Sequence, residues 1–167
     1  MRQAEIAWCE IDAARRYSLS TLADVDERDW FRQPTEGVTH IAWQVGHLAA
    51  AQYSLGLVRL RGERAGDASF VPPEFLALFI RGSTPDPDSA KNPQPSQILA
   101  ALERVHNEVR AEISRHTDEQ LHETQLGKPH PLFSTKLGGL FWCARHEMLH
   151  AGQIGLLKRL FGQPAKW

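Results

Sequence analysis

Six of the ten prolines of this 167-residue chain lie between residues 62 and 95, and they separate two regions that have helical patterns. Proline lacks a backbone N–H and clashes with the preceding turn, so it breaks a helix from the inside. This segment also contains the polar run GSTPDPDSAKNPQPS. It therefore predicts a long connection, in which only residues 73–80 are apolar enough for a short helix.

On either side of this connection, apolar residues recur every three to four positions, which is typical of amphipathic helices. The pattern predicts helices over about 4–25, 40–60, 96–116 and 134–161. Alternating strand patterns are weak throughout. The predicted fold is all-α, a four-helix bundle with a long crossover between helices two and three, in a single domain spanning residues 1–167.

Two predicted faces and several predicted caps can be tested directly. The first helix is expected to bury one apolar stripe and the third another: Ile6, Cys9, Ala13 and Tyr17 in the first, and Ile98, Leu102, Val105, Val109 and Ile113 in the third. Side chains that can cap a helix N-terminus precede helices two to four: Thr39, Ser96, and Ser134 or Thr135. Gly62 is expected to end the second helix.

The balance of charge is nearly even, with 19 Lys and Arg against 20 Asp and Glu. A nucleic-acid or anionic-membrane partner normally selects for excess positive charge, so neither is expected. No apolar run approaches the roughly 20 residues of a membrane span, and the first residues do not resemble a signal peptide. Cys9 and Cys143 are too few for a disulfide framework. We expect a soluble, cytoplasmic protein.

The last predicted helix carries the pattern His146-Glu147-Met148-Leu149-His150. Histidines four apart in a helix project from the same side, about one turn apart, and can share a metal ion. The pair lies in the apolar stripe of that helix, where a buried imidazole needs a partner.

Helix two supplies a candidate for the third ligand. His47 lies on an apolar face beside small residues, and a bundle brings such faces of two helices together. A single histidine on such a face is more often a hydrogen-bonded core residue than a ligand. Together with His146 and His150 it would give three nitrogen ligands and leave a coordination position open. His40 is a reserve candidate, close to the helix start, where exposure is expected.

The same five residues match the HExxH pattern of zinc peptidases, in which the glutamate is the general base. Those enzymes generally find a third ligand downstream. Only 17 residues follow His150, and none of them is His, Glu, Asp or Cys. The peptidase is therefore the weakest of the functional hypotheses.

The segments IAWQVGHLA and HEMLHAGQIGLLKRLFG together resemble the DinB-like superfamily, the metal-binding four-helix bundles that include bacillithiol transferases and the metal domain of mycothiol-dependent maleylpyruvate isomerase. The resemblance runs from about Thr39 to the end of the chain. It implies a site of His47, His146 and His150 for zinc or nickel, a low-molecular-weight thiol as cosubstrate, and a homodimer. The implied activity is that of a thiol S-transferase or thiol-dependent isomerase.

Other residues on or near the apolar stripe can be interpreted either as structural or as functional. Glu147, the candidate catalytic residue, is expected to be a solvated charge on the helix face. Gln153 is a candidate pocket residue, and Trp43 and Trp142 are candidate pocket walls or core. Cys143 could approach the metal, although a buried, inert thiol is the expectation.

Three hypotheses follow. The first is a metal-dependent enzyme that uses a thiol, and the second is a non-catalytic bundle in which the metal only cross-links helices two and four. The third is the peptidase.

Overall fold

The structure is a computed structural model that describes residues 2–164. Its helices are α1 (Gln3–Leu22), α2 (residues 41–61), α3 (Pro73–Phe79), α4 (Pro95–Ser114), α5 (Asp118–His122) and α6 (Lys136–Leu160). Helix α2 begins as the α-helix Ile41–Tyr53, passes through a π-helical turn, Ser54–Val58, and ends in the short piece Arg59–Arg61. Short 3₁₀ segments lie at Glu27–Asp29, Ala65–Ser69 and Ser89–Lys91. Residues 2–164 contain isolated β-bridges but no strand, so the all-helical prediction is confirmed.

The four long helices share one hydrophobic core. Helix α1 packs most extensively along α6, and α2 packs along α4 and also contacts α6. All five residues of the stripe predicted for the third helix are buried on α4. Helix α2 is buried on almost every side, so the helix that bears His47 meets the helix that bears His146 and His150 inside the protein.

The face predicted for the first helix is wrong. Ile6 and Tyr17 are about two-fifths exposed, at 39% and 41%. The core side instead carries Ala4, Ala7, Ile11 and Ala14, with Arg15 and Ser18 among them. Small alanines allow α1 to approach its neighbours closely, which leaves the larger apolar side chains of the other face on the surface.

The helix ends agree with the prediction at some positions and differ at others. The Thr135 hydroxyl accepts a hydrogen bond from the Gly138 N–H, and Gly62 ends α2 with φ +83°. Helix α2 is capped by His40 rather than Thr39, since His40 Nδ1 accepts from the Trp43 N–H at 3.0 Å. Helix α4 begins at Pro95, a position that proline favours because the first helical N–H has no partner inside the helix.

The connection between α2 and α4 carries α3, which packs against α2. A Cβ placed on Gly46 would lie 2.4 Å from the ring of Phe79, which is fully buried. Glycine at position 46 therefore lets the end of α3 approach the helix backbone beside His47. Within residues 2–164, no helix has both the length and the apolar character that crossing a bilayer requires.

Candidate metal centre

His47 on α2 and His146 and His150 on α6 form one cluster, in which one nitrogen of each ring lies within 4.8 Å of the others. The Nε2 atoms of His146 and His150 are 3.2 Å apart. The ring centroid of His47 lies 5.3 Å from that of His146 and 4.8 Å from that of His150. His47 is buried, whereas the other two are partly exposed, so the cluster has a closed side and an open side.

Hydrogen bonds orient two of the three rings. His47 Nδ1–H donates to the Phe79 carbonyl oxygen at 2.7 Å, and His150 Nδ1–H donates to Gln44 Oε1. The amide of Gln44 is itself oriented, because its Nε2 donates to Thr39 Oγ1 at 2.9 Å. With the proton on Nδ1, the Nε2 of each ring carries a lone pair. A histidine that ligates a metal usually has this kind of support at its other nitrogen.

The indole of Trp43 covers one face of His47. The two rings are parallel within 5°, with centroids 4.7 Å apart. Trp43 Nε1 donates to Ser83 Oγ at 3.0 Å, which fixes the indole in turn. Trp43 is therefore a wall of the site, one turn before His47 on the same side of α2.

The local environment keeps the three imidazoles neutral. Burial lowers the pKa of His47 from its usual 6.5. Burial, with the neighbouring His47 and His130, lowers the pKa of His146 to about 4. Burial, with His146 and His47, lowers the pKa of His150 to about 3. At neutral pH each ring therefore keeps one nitrogen lone pair, and in His47 and His150 this lone pair is on Nε2.

Glu147 faces away from the cluster into the core. Its carboxylate accepts hydrogen bonds from Arg15 Nε at 2.6 Å and from Arg15 Nη2 at 3.1 Å. Arg15 also donates to Gln52 Oε1 at 2.7 Å and to the Leu102 carbonyl oxygen at 3.0 Å. The expected solvated charge is instead 2% exposed and lies in a polar network that joins α1, α2, α4 and α6.

The network continues to His106 on α4. Gln52 Nε2 lies 3.1 Å from His106 Nδ1, and His106 Nε2 lies 3.4 Å from Asp12 Oδ1. Burial and the charge of Arg15 lower the pKa of His106 to about 4 despite Asp12. Neutral His106 can thus accept from the amide of Gln52 and donate to the carboxylate of Asp12.

The other candidate residues lie outside the cluster. His40 is fully buried rather than exposed, and its Nε2 lies 3.0 Å from the Asp86 carbonyl oxygen. Gln153, expected on the buried stripe, is exposed on α6. Trp142 is partly buried, and its ring centroid is 6.1 Å from that of His130. Cys143 is buried, and burial raises the pKa of its thiol to about 12, which fits the expected inert thiol.

Sequence reasoning missed Gln44, Phe79 and Arg15. Gln44 is a polar residue on the apolar side of α2, three residues before His47, and that position was the available signal. The Phe79 carbonyl carries no side-chain signal. Arg15 interrupts an alanine-rich stretch of α1, and a charge among small residues is a sign of a buried pair.

The fold and the histidine cluster together define the class of this protein, which is all-helical and has a three-histidine site of the kind that can hold a metal ion. Residues 10–154 match the family model described as the DinB superfamily, and the chain belongs to that superfamily. No match is found among curated proteins.

The cluster fits a divalent metal ion. Two nitrogens bound to one zinc ion at roughly 2.0–2.1 Å in tetrahedral geometry are about 3.3 Å apart, close to the spacing of the two α6 nitrogens. Neutral imidazoles suit zinc and nickel alike. His47, His146 and His150 would be the ligands, with Phe79 and Gln44 holding two of the rings.

Proposed function

We propose that this DinB superfamily protein binds zinc or nickel and uses it to transfer a low-molecular-weight thiol to a small electrophile, or to isomerise a substrate through such a thiol. The observation that supports this most is the set of three neutral imidazoles with an open side. When bound, the divalent metal ion would lower the pKa of a thiol, which makes the thiol a nucleophile near neutral pH.

The protein's own residues hold the ligands and shape the space beside them. The Phe79 carbonyl and the Gln44 amide keep the proton of each supported ring on Nδ1 and away from the cluster. Trp43 closes one side of His47 against water. The substrates would enter over His146 and His150, whose rings are partly exposed.

Glu147 does not support the peptidase hypothesis. A general base must reach the water that attacks the substrate, whereas both carboxylate oxygens of Glu147 accept from Arg15 inside the core. The glutamate of this HExxH pattern is thus a structural residue.

The test is thiol binding followed by turnover. Protein purified without a nickel column is analysed for metal, substituted with cobalt, and titrated with thiols while the cobalt absorption is followed. Metal at about one ion per chain, a thiol-dependent spectral change and consumption of an electrophile support the proposal. A metal-loaded protein that binds no thiol and stays inert across a panel of thiols and electrophiles would instead favour the non-catalytic, metal-stapled bundle.

We further propose that the four long helices form the four-helix bundle of the superfamily, that the connection between α2 and α4 is its crossover, and that the protein is a cytoplasmic homodimer.

A mostly apolar groove between α1 and α6 supports the dimer. The residues that line this groove are Ile6, Glu10, Ala13, Ala14, Tyr17, Phe141, Ala144, Arg145 and Met148. Two copies related by a twofold axis would bury these apolar side chains together. Glu10 of each copy could then face Arg145 of the other.

The mass of the protein in sedimentation equilibrium tests the dimer. Ile6→Glu should shift it to the monomer, because a carboxylate would be buried in the interface. The control, Leu132→Glu, changes an exposed leucine outside this groove and should leave the mass unchanged. A monomeric wild-type protein at micromolar concentration would contradict the proposal.

A further inference from the structure

A tight turn follows α3 and places Arg81 at its outer corner. The Ser83 N–H donates to the Ile80 carbonyl oxygen at 3.0 Å, which closes the turn. Gly82 has φ +94°, a backbone conformation that residues other than glycine rarely adopt. The turn therefore has a defined shape, and the exposed Arg81 lies between its two ends.

Both ends of this turn are tied to the metal centre. Phe79, two residues before Arg81, accepts the hydrogen bond from His47. Ser83, two residues after it, accepts from the indole of Trp43, and its own hydroxyl donates to the Leu78 carbonyl oxygen at 2.7 Å. Arg81 is thus held next to the cluster by the same contacts that position a ligand and a wall.

A second loop, which connects α5 to α6, carries His130. His130 pairs with Phe133 in an isolated antiparallel bridge and stacks on its ring, with centroids 4.1 Å apart. The Leu132 N–H donates to His130 Nδ1 at 3.2 Å. The proton of neutral His130 is therefore on Nε2, which is a hydrogen-bond donor. The ring lies near Trp142, one turn before His146.

The two loops are near enough to interact electrostatically. The turn that carries Arg81 is held at His47 and Trp43, and the ring of His130 lies 6.1 Å from that of Trp142, one turn before His146. Burial lowers the pKa of His130, and the charges of Arg59 and Arg81 add to this effect. Arg81 forms no ion pair within residues 2–164. Its guanidinium charge is therefore available to a ligand.

We infer that Arg81 and His130 bind a carboxylate at the open side of the histidine cluster, so that the thiol used by this protein carries a carboxylate group. A guanidinium offers two parallel N–H donors that match the two carboxylate oxygens. One fixed positive charge with one neutral donor matches a monoanion. This inference rests on the proposed function and narrows its substrate class.

The test compares two thiols of equal length on the cobalt-substituted protein: 3-mercaptopropionate, which carries a carboxylate, and 3-mercaptopropionamide, which is neutral. Binding is followed by the cobalt absorption. The wild-type protein should bind the carboxylate about tenfold more tightly. Arg81→Gln should abolish this preference and leave the affinity for the amide unchanged. His130→Ala should reduce the preference about threefold, because it removes one of the donors.

Arg28→Gln is the matched control, since it removes an exposed arginine in the connection after α1. Its preference should equal that of the wild type. Equal binding of the two thiols by the wild-type protein overturns this inference and leaves the proposed function standing. A preference that survives Arg81→Gln comes from direct binding of the carboxylate to the ion and also overturns it. Failure of both thiols to bind overturns the proposed function together with this inference.

Discussion

Neighbouring residues of α6 belong to two different regions of the protein. His146 lies in the cluster of neutral imidazoles, which is open on one side. Glu147 lies in a charged network that is closed, with its partner Arg15 only 4% exposed. Successive helical residues point about 100° apart, so one residue can serve a ligand site while the next anchors the helix.

The two regions differ in how their polar atoms are satisfied. Every donor of the closed network that is described above has an acceptor inside the protein. In the open cluster, the Nε2 atoms of His146 and His150 lie 3.2 Å apart in partly exposed residues, where a ligand can reach them. The core therefore holds α6 in place through hydrogen bonds within the protein, whereas the cluster lies open to a ligand.

Removing a ligand should have the largest effect, and only on the open region. His47→Ala should lower metal affinity by at least about 100-fold, since even supporting residues of metal sites are worth 10–100-fold. Elemental analysis of protein purified without a nickel column checks this. The control, His122→Ala, changes an exposed histidine of α5 and should keep the metal. Stoichiometric metal in His47→Ala would remove His47 from the site.

Breaking the closed network should cost stability whether or not metal is present. Glu147→Ala leaves the buried guanidinium of Arg15 without its carboxylate, so we expect a loss of about 3–5 kcal/mol in the free energy of unfolding. Urea unfolding of the metal-free protein measures it. The double variant Arg15→Met/Glu147→Leu removes both charges and should recover most of the loss. A stability within about 1 kcal/mol of wild type in Glu147→Ala would contradict the structural role.

The contact between α3 and α2 can be tested by filling its gap. Gly46→Ala would place a methyl group against the buried ring of Phe79, and such overpacking costs about 1–3 kcal/mol. It should also weaken metal binding, because the carbonyl of Phe79 orients His47. The matched control is Gly152→Ala on α6, where an added Cβ meets nothing within 4 Å. That change should stabilise the helix by roughly 0.5–1 kcal/mol. Equal effects of the two substitutions in thermal melts would contradict this packing.

Acid should weaken the closed network through His106. Its pKa in the folded protein is about 4, below the usual 6.5, so the unfolded chain binds more protons between these values. The free energy of unfolding should therefore fall as pH drops from about 6.5 to about 4, by on the order of 1–3 kcal/mol from this residue. Urea unfolding at several pH values across this range gives the free energy of unfolding as a function of pH. This free energy should fall less steeply with falling pH in His106→Asn than in the wild type. Parallel slopes would exclude the contribution of His106.

The sequence predicted what depends on local pattern. The stripe on α4 and the extent of α6 follow from spacing and caps, and the structure has them close to where they were expected. The buried face of α1 could not be read in the same way, because that helix has apolar residues on two sides and packing selects the alanines. Arg15 and Glu147 are 132 residues apart, and no local pattern encodes such a pair. For the same reason, the three histidines could be predicted from the sequence, but the Phe79 carbonyl and the Gln44 amide that orient two of them could not.

The π-helical turn at Ser54–Val58 has a consequence for comparing this chain with its relatives. A π turn accommodates one extra residue within an otherwise regular helix. Counting residues forward from His47 therefore misplaces everything beyond the turn by about 100° around the helix. In a sequence alignment, a relative without the π turn needs a one-residue gap at this point. Without the gap, Arg59 and Arg61 would be aligned with residues on a different side of the relative's helix. Deleting one residue from this turn should convert it to regular α-helix and leave His47, Arg59 and Arg61 on the sides of α2 that they occupy now.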